Sequence, residues 1–229
     1  MDIKQEKYLD AALSTHLFDN ISKVEAASVI RTLEGEIINY SKGQTVAEYK
    51  DGEQPQHIML ILSGMIQMVR FGLHGERYLL DYSFSGSVAG YIASMSKRFI
   101  YGSSLVAGRD TTVLKLHISS VKDLDVKNKT AFEENLLKLI SDKYARLLQK
   151  GDITTRRFVQ DKILTYLQYE RQLQGASVFE IPLNRQELAD YICVDRTTLS
   201  TELTKMKKAG VIKTRKYHFE LLTQNSSAI

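Results

Sequence analysis

The sequence predicts an α+β chain in three parts: an N-terminal antiparallel β-roll of the jelly-roll kind, a long dimerisation helix, and a C-terminal winged helix-turn-helix. Three observations predict it. From about Ile37 to Ile118, short apolar segments alternate with glycines such as Gly43, Gly64, Gly75, Gly90 and Gly108. After Asp123, the stretch KNKTAFEENLLKLISDKYARLLQKG has no internal glycine or proline. From Pro182, two helix-start signals are followed by a basic, strand-like tail. The expected boundaries are 1–125 for the roll with its N-terminal helices, 126–151 for the long helix and 152–229 for the remainder.

A chain of 229 residues, 43% hydrophobic and 25% charged, is long enough for two modest cores. Charges at Asp2, Lys4, Glu6, Lys7 and Asp10 predict neither a signal peptide nor a membrane span at the N-terminus, so a cytoplasmic location is expected. Cys193 is the only cysteine, which excludes an internal disulfide framework and any all-cysteine metal or iron–sulfur site within one chain. The net charge of +4 decides little; its distribution matters more.

Apolar positions at helical spacing (Leu9, Leu13, Leu17, then Val24, Ala27, Ile30, Leu33) predict two short helices before the strands. Within the strand region, Gly72, His74 and Gly75 suit a hairpin connection. Closing such strands into a roll removes exposed edges and can enclose a ligand-sized cavity. In the long helix, Leu137, Ile140, Tyr144 and Leu147 alternate by three and four, the seam of a short coiled coil, and this predicts a homodimer. Packing within one chain is the alternative. Leu136, Leu139 and Leu148 widen the stripe, and Gly151 is expected to break the helix. A second helix, capped by Thr154 or Thr155, should run to about Gln174 and stop at Gly175.

The segment from Pro182 to Leu222 carries the chemistry. Asn184 and Glu187 form a capping-box pattern ahead of a helix with Leu188, Ala189 and Ile192 facing inward. A tight turn at Cys193 and Val194 leads to Asp195, which can cap a second helix whose inward residues are Leu199, Leu203 and Met206. Arg196, Thr197, Ser200 and Thr201 then share the outward face near its N-terminus. That is the part of a recognition helix that enters the DNA major groove. Arginine can bond guanine O6 and N7 bidentately, and threonine or serine can meet base edges or the thymine methyl. Lys205, Lys207, Lys208, Lys213, Arg215 and Lys216 follow with no acidic residue among positions 205–216, so phosphate contacts are expected. VIKTRKYHFELL reads as the two strands of a wing. An ordinary solvated charged face is the plain alternative for each of these features.

With these motifs in hand, the chain resembles the Crp/Fnr family of bacterial transcription regulators. The similarity rests on YSKGQTVAEYKDGEQPQHIMLILSGMIQMV, GERYLLDYSFSGSVAG and, above all, LNRQELADYICVDRTTLSTELTKMKKAGVI. It implies a cyclic-nucleotide-binding-type β-roll, homodimerisation, palindromic double-stranded operator DNA and RNA polymerase as a partner, with Arg196 as the base-reading arginine. The cyclic-AMP receptor and the oxygen-sensing branch carry Glu where Thr197 stands and Arg where Thr201 stands, so a different operator consensus is expected.

The resemblance also bears on effectors. Where the cyclic-AMP branch has a ribose-binding Glu and a phosphate-binding Arg and Ser, this chain has Tyr91, Tyr101 and Gly102. A buried phosphate would then lack a compensating charge, and cyclic AMP is not expected. No N-terminal cysteines offer an iron–sulfur site, and His16, His57, His74, His117 and His218 show no haem-ligand pattern. Neither cofactor nor metal is expected. Tyr91, Tyr101, Ser103, Ser104 and Arg109 lie near the family's ligand loop; they either bind an unidentified small molecule or fill an empty roll. Two rival readings remain: a ligand-binding or scaffold module with a protein partner, disfavoured by the basic wing, and a cupin-like metalloenzyme, disfavoured because the spacing of His57, His74 and His117 suggests no close pair. No catalytic residue is expected.

Overall fold

The computed structural model describes residues 3–49, 55–95 and 102–222 and divides into two compact units, Met1–Lys143 and Tyr144–Ile229. The first unit begins with helices α1 (Ile3–Leu13) and α2 (Lys23–Thr32). Ser22 and Glu25 close a reciprocal capping box at the start of α2: Ser22 Oγ accepts from the Glu25 amide, and the Glu25 carboxylate accepts from the Ser22 amide.

Among the described residues, eight strands and a short helix follow: β1 (Glu36–Tyr40), β2 (Thr45–Tyr49), β3 (His57–Ser63), β4 (Met65–Phe71), β5 (Arg77–Phe84), β6 (Val88–Ala89), α3 (Tyr91–Met95), β7 (Ser103–Ala107) and β8 (Thr111–His117). They form two four-stranded antiparallel sheets, ordered β1-β8-β3-β6 and β2-β7-β4-β5, as expected of a jelly roll. The period of two decides which core each side chain joins. Along β3, Ile58, Leu60 and Leu62 pack with α1 and α2, whereas Met59 and Ile61 turn into the roll. Strand β8 divides likewise, with Leu114 and Leu116 on the helical side and Val113 inside.

Glycine is required between β3 and β4. Gly64 has φ +88°, and a Cβ there would lie 2.3 Å from the Asp110 carbonyl oxygen. The β4–β5 hairpin turns over residues 72–76, with Gly75 at φ +82°.

Helix α4 (Val126–Thr155) supplies Phe132, Leu136 and Leu139 to the helical core of the first unit. Asn135, 2% exposed, donates to the carbonyls of Leu17 and Asp19, so its burial is compensated. Contrary to the expectation from sequence, Gly151 does not end this helix. A helical glycine costs about 1 kcal/mol relative to alanine. Burial of Ile153 and a hydrogen bond of 2.9 Å from the Tyr169 hydroxyl to Asp152 offset that cost. Thr154 and Thr155 do not cap the next helix either. Their hydroxyls bond back to the carbonyls of Lys150 and Asp152, keeping both residues inside α4.

In the second unit, α5 (Val159–Gln174) starts at Phe158 without a side-chain cap and stops at Gly175, φ +62°. Then come β9 (Val178–Glu180), α6 (Arg185–Ile192), α7 (Arg196–Lys208), β10 (Ile212–Arg215) and β11 (His218–Leu221). The strands pair in the order β10-β11-β9. Ile163, Leu167, Leu188, Ile192, Leu199, Leu203, Met206 and Phe219 are buried among the helices and this small sheet.

Candidate nucleic-acid interface

The sequence Asn184–Asp195 sets the geometry of the helix pair. Asn184 Oδ1 accepts from the Glu187 amide at 3.0 Å, and Glu187 Oε2 accepts from the Asn184 amide at 2.8 Å. Helix α6 ends at Cys193, a non-glycine residue at φ +56°, where the chain reverses. Two residues later Asp195 caps α7, accepting from the Thr198 amide at 2.8 Å and from the Thr198 hydroxyl. Those hydrogen bonds hold the Asp195 carboxyl below the usual carboxylate range. After the short αL turn, Arg196, Thr197 and Thr198 at the start of α7 are exposed.

Leu199, Leu203 and Met206 occupy the buried face of α7. Arg196, Thr197, Ser200 and Thr201 are all exposed. At about 100° per residue they fall on one side of the helix, and Lys207 and Lys208, also exposed, continue that side toward the C-terminus. Thr204 lies on the same face and was not anticipated; its hydroxyl donates to the Ser200 carbonyl at 2.9 Å.

The wing is a hairpin in which Lys213 pairs with Glu220, Thr214 with Phe219 and Arg215 with His218. Its turn passes through Lys216 at φ +55°. Ile212 is buried and Thr214 half-buried, so Lys213 and Arg215 stand on the opposite, exposed face of β10. Two of the six expected phosphate contacts have acidic neighbours: Lys205 with Glu202 and Lys213 with Glu220, both at 3.2 Å. Exposed pairs of this kind are worth roughly 0–1 kcal/mol and are readily exchanged for phosphate.

Leu183, Asn184, Arg185, Gln186, Arg196, Lys216 and Tyr217 line a surface groove between the two helix starts and the wing turn. Arg185, Gln186 and Tyr217 were missed from sequence. Arg185 directly follows the capping residue Asn184, a position that could have flagged it.

The residues expected on the dimer seam divide. Leu137, Tyr144 and Leu147 are 65%, 61% and 55% exposed, whereas Ile140 is half-buried against the helical core of the first unit. Leu148 joins the exposed set.

In the roll, a cavity of about 40 Å³ is lined by Tyr49, Asp81, Ser83, Gly90, Tyr91 and Lys143, with apolar walls including Ile66, Met68 and Leu105. Of the residues expected near a ligand, the structure brings Tyr91 here. Ser103 is buried in β7, Ser104 follows it half-buried, and Arg109 is exposed with its guanidinium 5.8 Å from the Phe84 ring centroid. Tyr101 lies outside the described residues. Lys143 donates to Ser83 Oγ at 2.7 Å and the Tyr82 carbonyl at 3.1 Å and pairs with Asp81. The Tyr49 hydroxyl is buried with no hydrogen-bond partner among the described residues. Burial, followed by the Asp81 charge, pushes the Tyr91 phenol up to about 12.

His57 and His117, which linear spacing kept apart, are cross-strand partners with ring centroids 4.9 Å apart. Among the described residues no group of three or more His, Cys, Asp or Glu is arranged to hold a metal. None of the described helices is long and apolar enough to cross a membrane.

The model of the cyclic nucleotide-binding domain matches residues 37–127, and that of the Crp-like helix-turn-helix domain matches residues 161–224. The nitrogen fixation regulation protein FixK of Rhizobium meliloti (strain 1021) is 23% identical over 181 residues, covering 78% of this chain and 79% of that protein. FixK2 from Bradyrhizobium japonicum superposes with a TM-score of 0.63 at 16% identity, covering 83% of this chain and 93% of that one. A CooA mutant from Carboxydothermus hydrogenoformans does so with a TM-score of 0.68 at 20% identity, over 84% and 86%.

Proposed function

Because the chain belongs to the Crp/Fnr family of DNA-binding transcription regulators, we propose that it binds palindromic double-stranded operator DNA as a homodimer. The observation that carries this reading is the exposed row Arg196, Thr197, Ser200 and Thr201 at the start of α7, with the wing cation Lys216 lining the same groove as Arg196. Arg196 reads guanine, and the three hydroxyl residues meet neighbouring base edges. Lys205, Lys207, Lys208, Lys213, Arg215 and Lys216 engage phosphates and fix the register without reading sequence. Two chains associate through Leu137, Tyr144, Leu147 and Leu148, with Ile140 shared between the seam and its own core. The dimer recruits or obstructs RNA polymerase in the cytoplasm and performs no catalysis.

An effector, where one acts, is a small molecule other than cyclic AMP. The roll cavity measures about 40 Å³. Among its described lining residues the one cation, Lys143, is already paired with Asp81. Within the same set the Tyr49 hydroxyl is buried without a hydrogen-bond partner, which suits a neutral ligand carrying a hydrogen-bonding group. Such a ligand must bind the DNA-competent state more tightly than the other to shift their populations.

Fluorescence anisotropy with labelled duplexes across a salt series tests the proposal. A steep fall of affinity with salt is expected, with a logarithmic slope of about −0.9 per phosphate contact. Replacing Lys213, Arg215 and Lys216 together by glutamine should flatten it. An unchanged slope would favour a protein partner for this surface.

A further inference from the structure

We propose that Arg185 is a positioning residue for DNA binding: its guanidinium clamps one rung of the wing to the start of α6 and thereby fixes Lys216 and Tyr217 beside Arg196. The inference rests on the reading of this unit as a DNA-binding element and goes beyond it in assigning the side chain that holds its two halves in register.

The geometry is specific. Arg185 Nη2 donates to Thr214 Oγ1 at 3.1 Å, and the guanidinium carbon lies 5.0 Å from the Phe219 ring centroid. Thr214 and Phe219 are direct cross-strand partners, so one planar group grips both strands of the hairpin at the same level. Phe219 in turn pairs with Phe179 on β9, their rings stacked at 6.4 Å, which ties the gripped rung to the third strand. At its other end Arg185 is the first residue of α6, immediately after Asn184, whose capping box fixes that backbone. Arg185 lines one groove together with Arg196, Lys216 and Tyr217.

An arginine is suited to this place. Its flat fork can donate along its edge to a hydroxyl while its face lies on an aromatic ring; a lysine ammonium, a flexible point charge, offers no such flat face. β11 is held by β9 on its far side, with the Ile181 amide donating to the Tyr217 carbonyl, but β10 is an edge strand of this three-stranded sheet. Without the clamp, the β10 side of the wing turn at Lys216 is free to drift from Arg196 although the hydrophobic core beneath it stays intact. Phosphate contacts from the wing and base contacts from α7 would then no longer be satisfied by one docking pose.

The test is a double-mutant cycle on operator binding by the full chain, with far-UV circular dichroism and melting recorded for each variant. Arg185→Gln is expected to weaken binding about tenfold, a coupling within the range for residues in contact. In a Lys216→Gln background the same change should have little further effect, because the wing tip no longer needs positioning. Arg185→Lys should behave like the glutamine variant. Thr214→Val, which removes the acceptor and leaves every charge in place, should reproduce part of the loss if Arg185→Gln fails to fold. Full additivity with Lys216→Gln, or retention of affinity by Arg185→Lys, would overturn the proposal in favour of a direct phosphate contact. A lowered melting temperature with unchanged affinity would reduce Arg185 to a stabilising residue and also overturn it. Failure of the unmodified chain to bind any duplex would count against the DNA-binding reading itself.

Discussion

At the scale of single residues, Arg196 and Tyr49 lead to opposite expectations. Arg196 is exposed at the first position of α7 and contributes nothing to the core. Arg196→Ala should leave the melting temperature unchanged, cost about 1–3 kcal/mol of operator affinity and relax one base preference per half-site, as measured by competition among single-base variants. Tyr49 has a buried hydroxyl with no partner among the described residues, and burial pushes its pKa up. An unmatched buried group costs about 1–3 kcal/mol. Tyr49→Phe should therefore raise the thermal midpoint of the ligand-free protein and weaken the response to any small molecule entering the roll. Asp195 adds a pH dependence. Its folded pKa is depressed by Thr198, so its contribution to helix capping is present above the usual carboxylate range and is lost as pH falls through the folded value. Operator binding by Asp195→Asn should be less sensitive to acid than binding by the parent, measured from pH 7 down to the acid limit of folding.

At the scale of elements, α4 carries apolar residues of two kinds. Phe132, Leu136 and Leu139 are buried, while Leu137, Tyr144, Leu147 and Leu148 are exposed. Leu137→Glu combined with Leu147→Glu should give a folded monomer with lost operator affinity, as read by sedimentation; a dimer persisting unchanged would place the seam elsewhere. Gly151 makes a separate case. Space around it is open and α4 runs through it, so Gly151→Ala should stabilise the chain by about 1 kcal/mol in chemical denaturation. A loss of stability instead would show that the helix bends there in solution. These elements also mark where sequence reading succeeded. Caps at Asn184 and Asp195 were readable because a hydrogen bond three residues away needs only local chain. Gly151 was misread as a stop because the offsetting interactions of Ile153 and Asp152 come from tertiary packing.

Across the whole molecule, the two matched domains and the order of elements followed from changes of hydrophobic period, which local sequence records. Long-range pairings did not. The approach of His57 to His117, the pairing of Lys143 with Asp81 and the grip of Arg185 on Thr214 join residues 29 to 62 positions apart. No spacing rule connects them. The cavity likewise differs from the sequence expectation because strand direction, rather than proximity along the chain, decides which side chains enter the roll.

If two α7 surfaces read one palindrome, selection of duplexes from a random pool by the purified chain will reveal it. The expected outcome is enrichment of an inverted repeat with half-sites about one helical turn apart, with a consensus unlike those of the cyclic-AMP and oxygen-sensing branches, and loss of that enrichment with Arg196→Ala. A pool that stays random at low ionic strength, or an enriched site indifferent to Arg196, would contradict it.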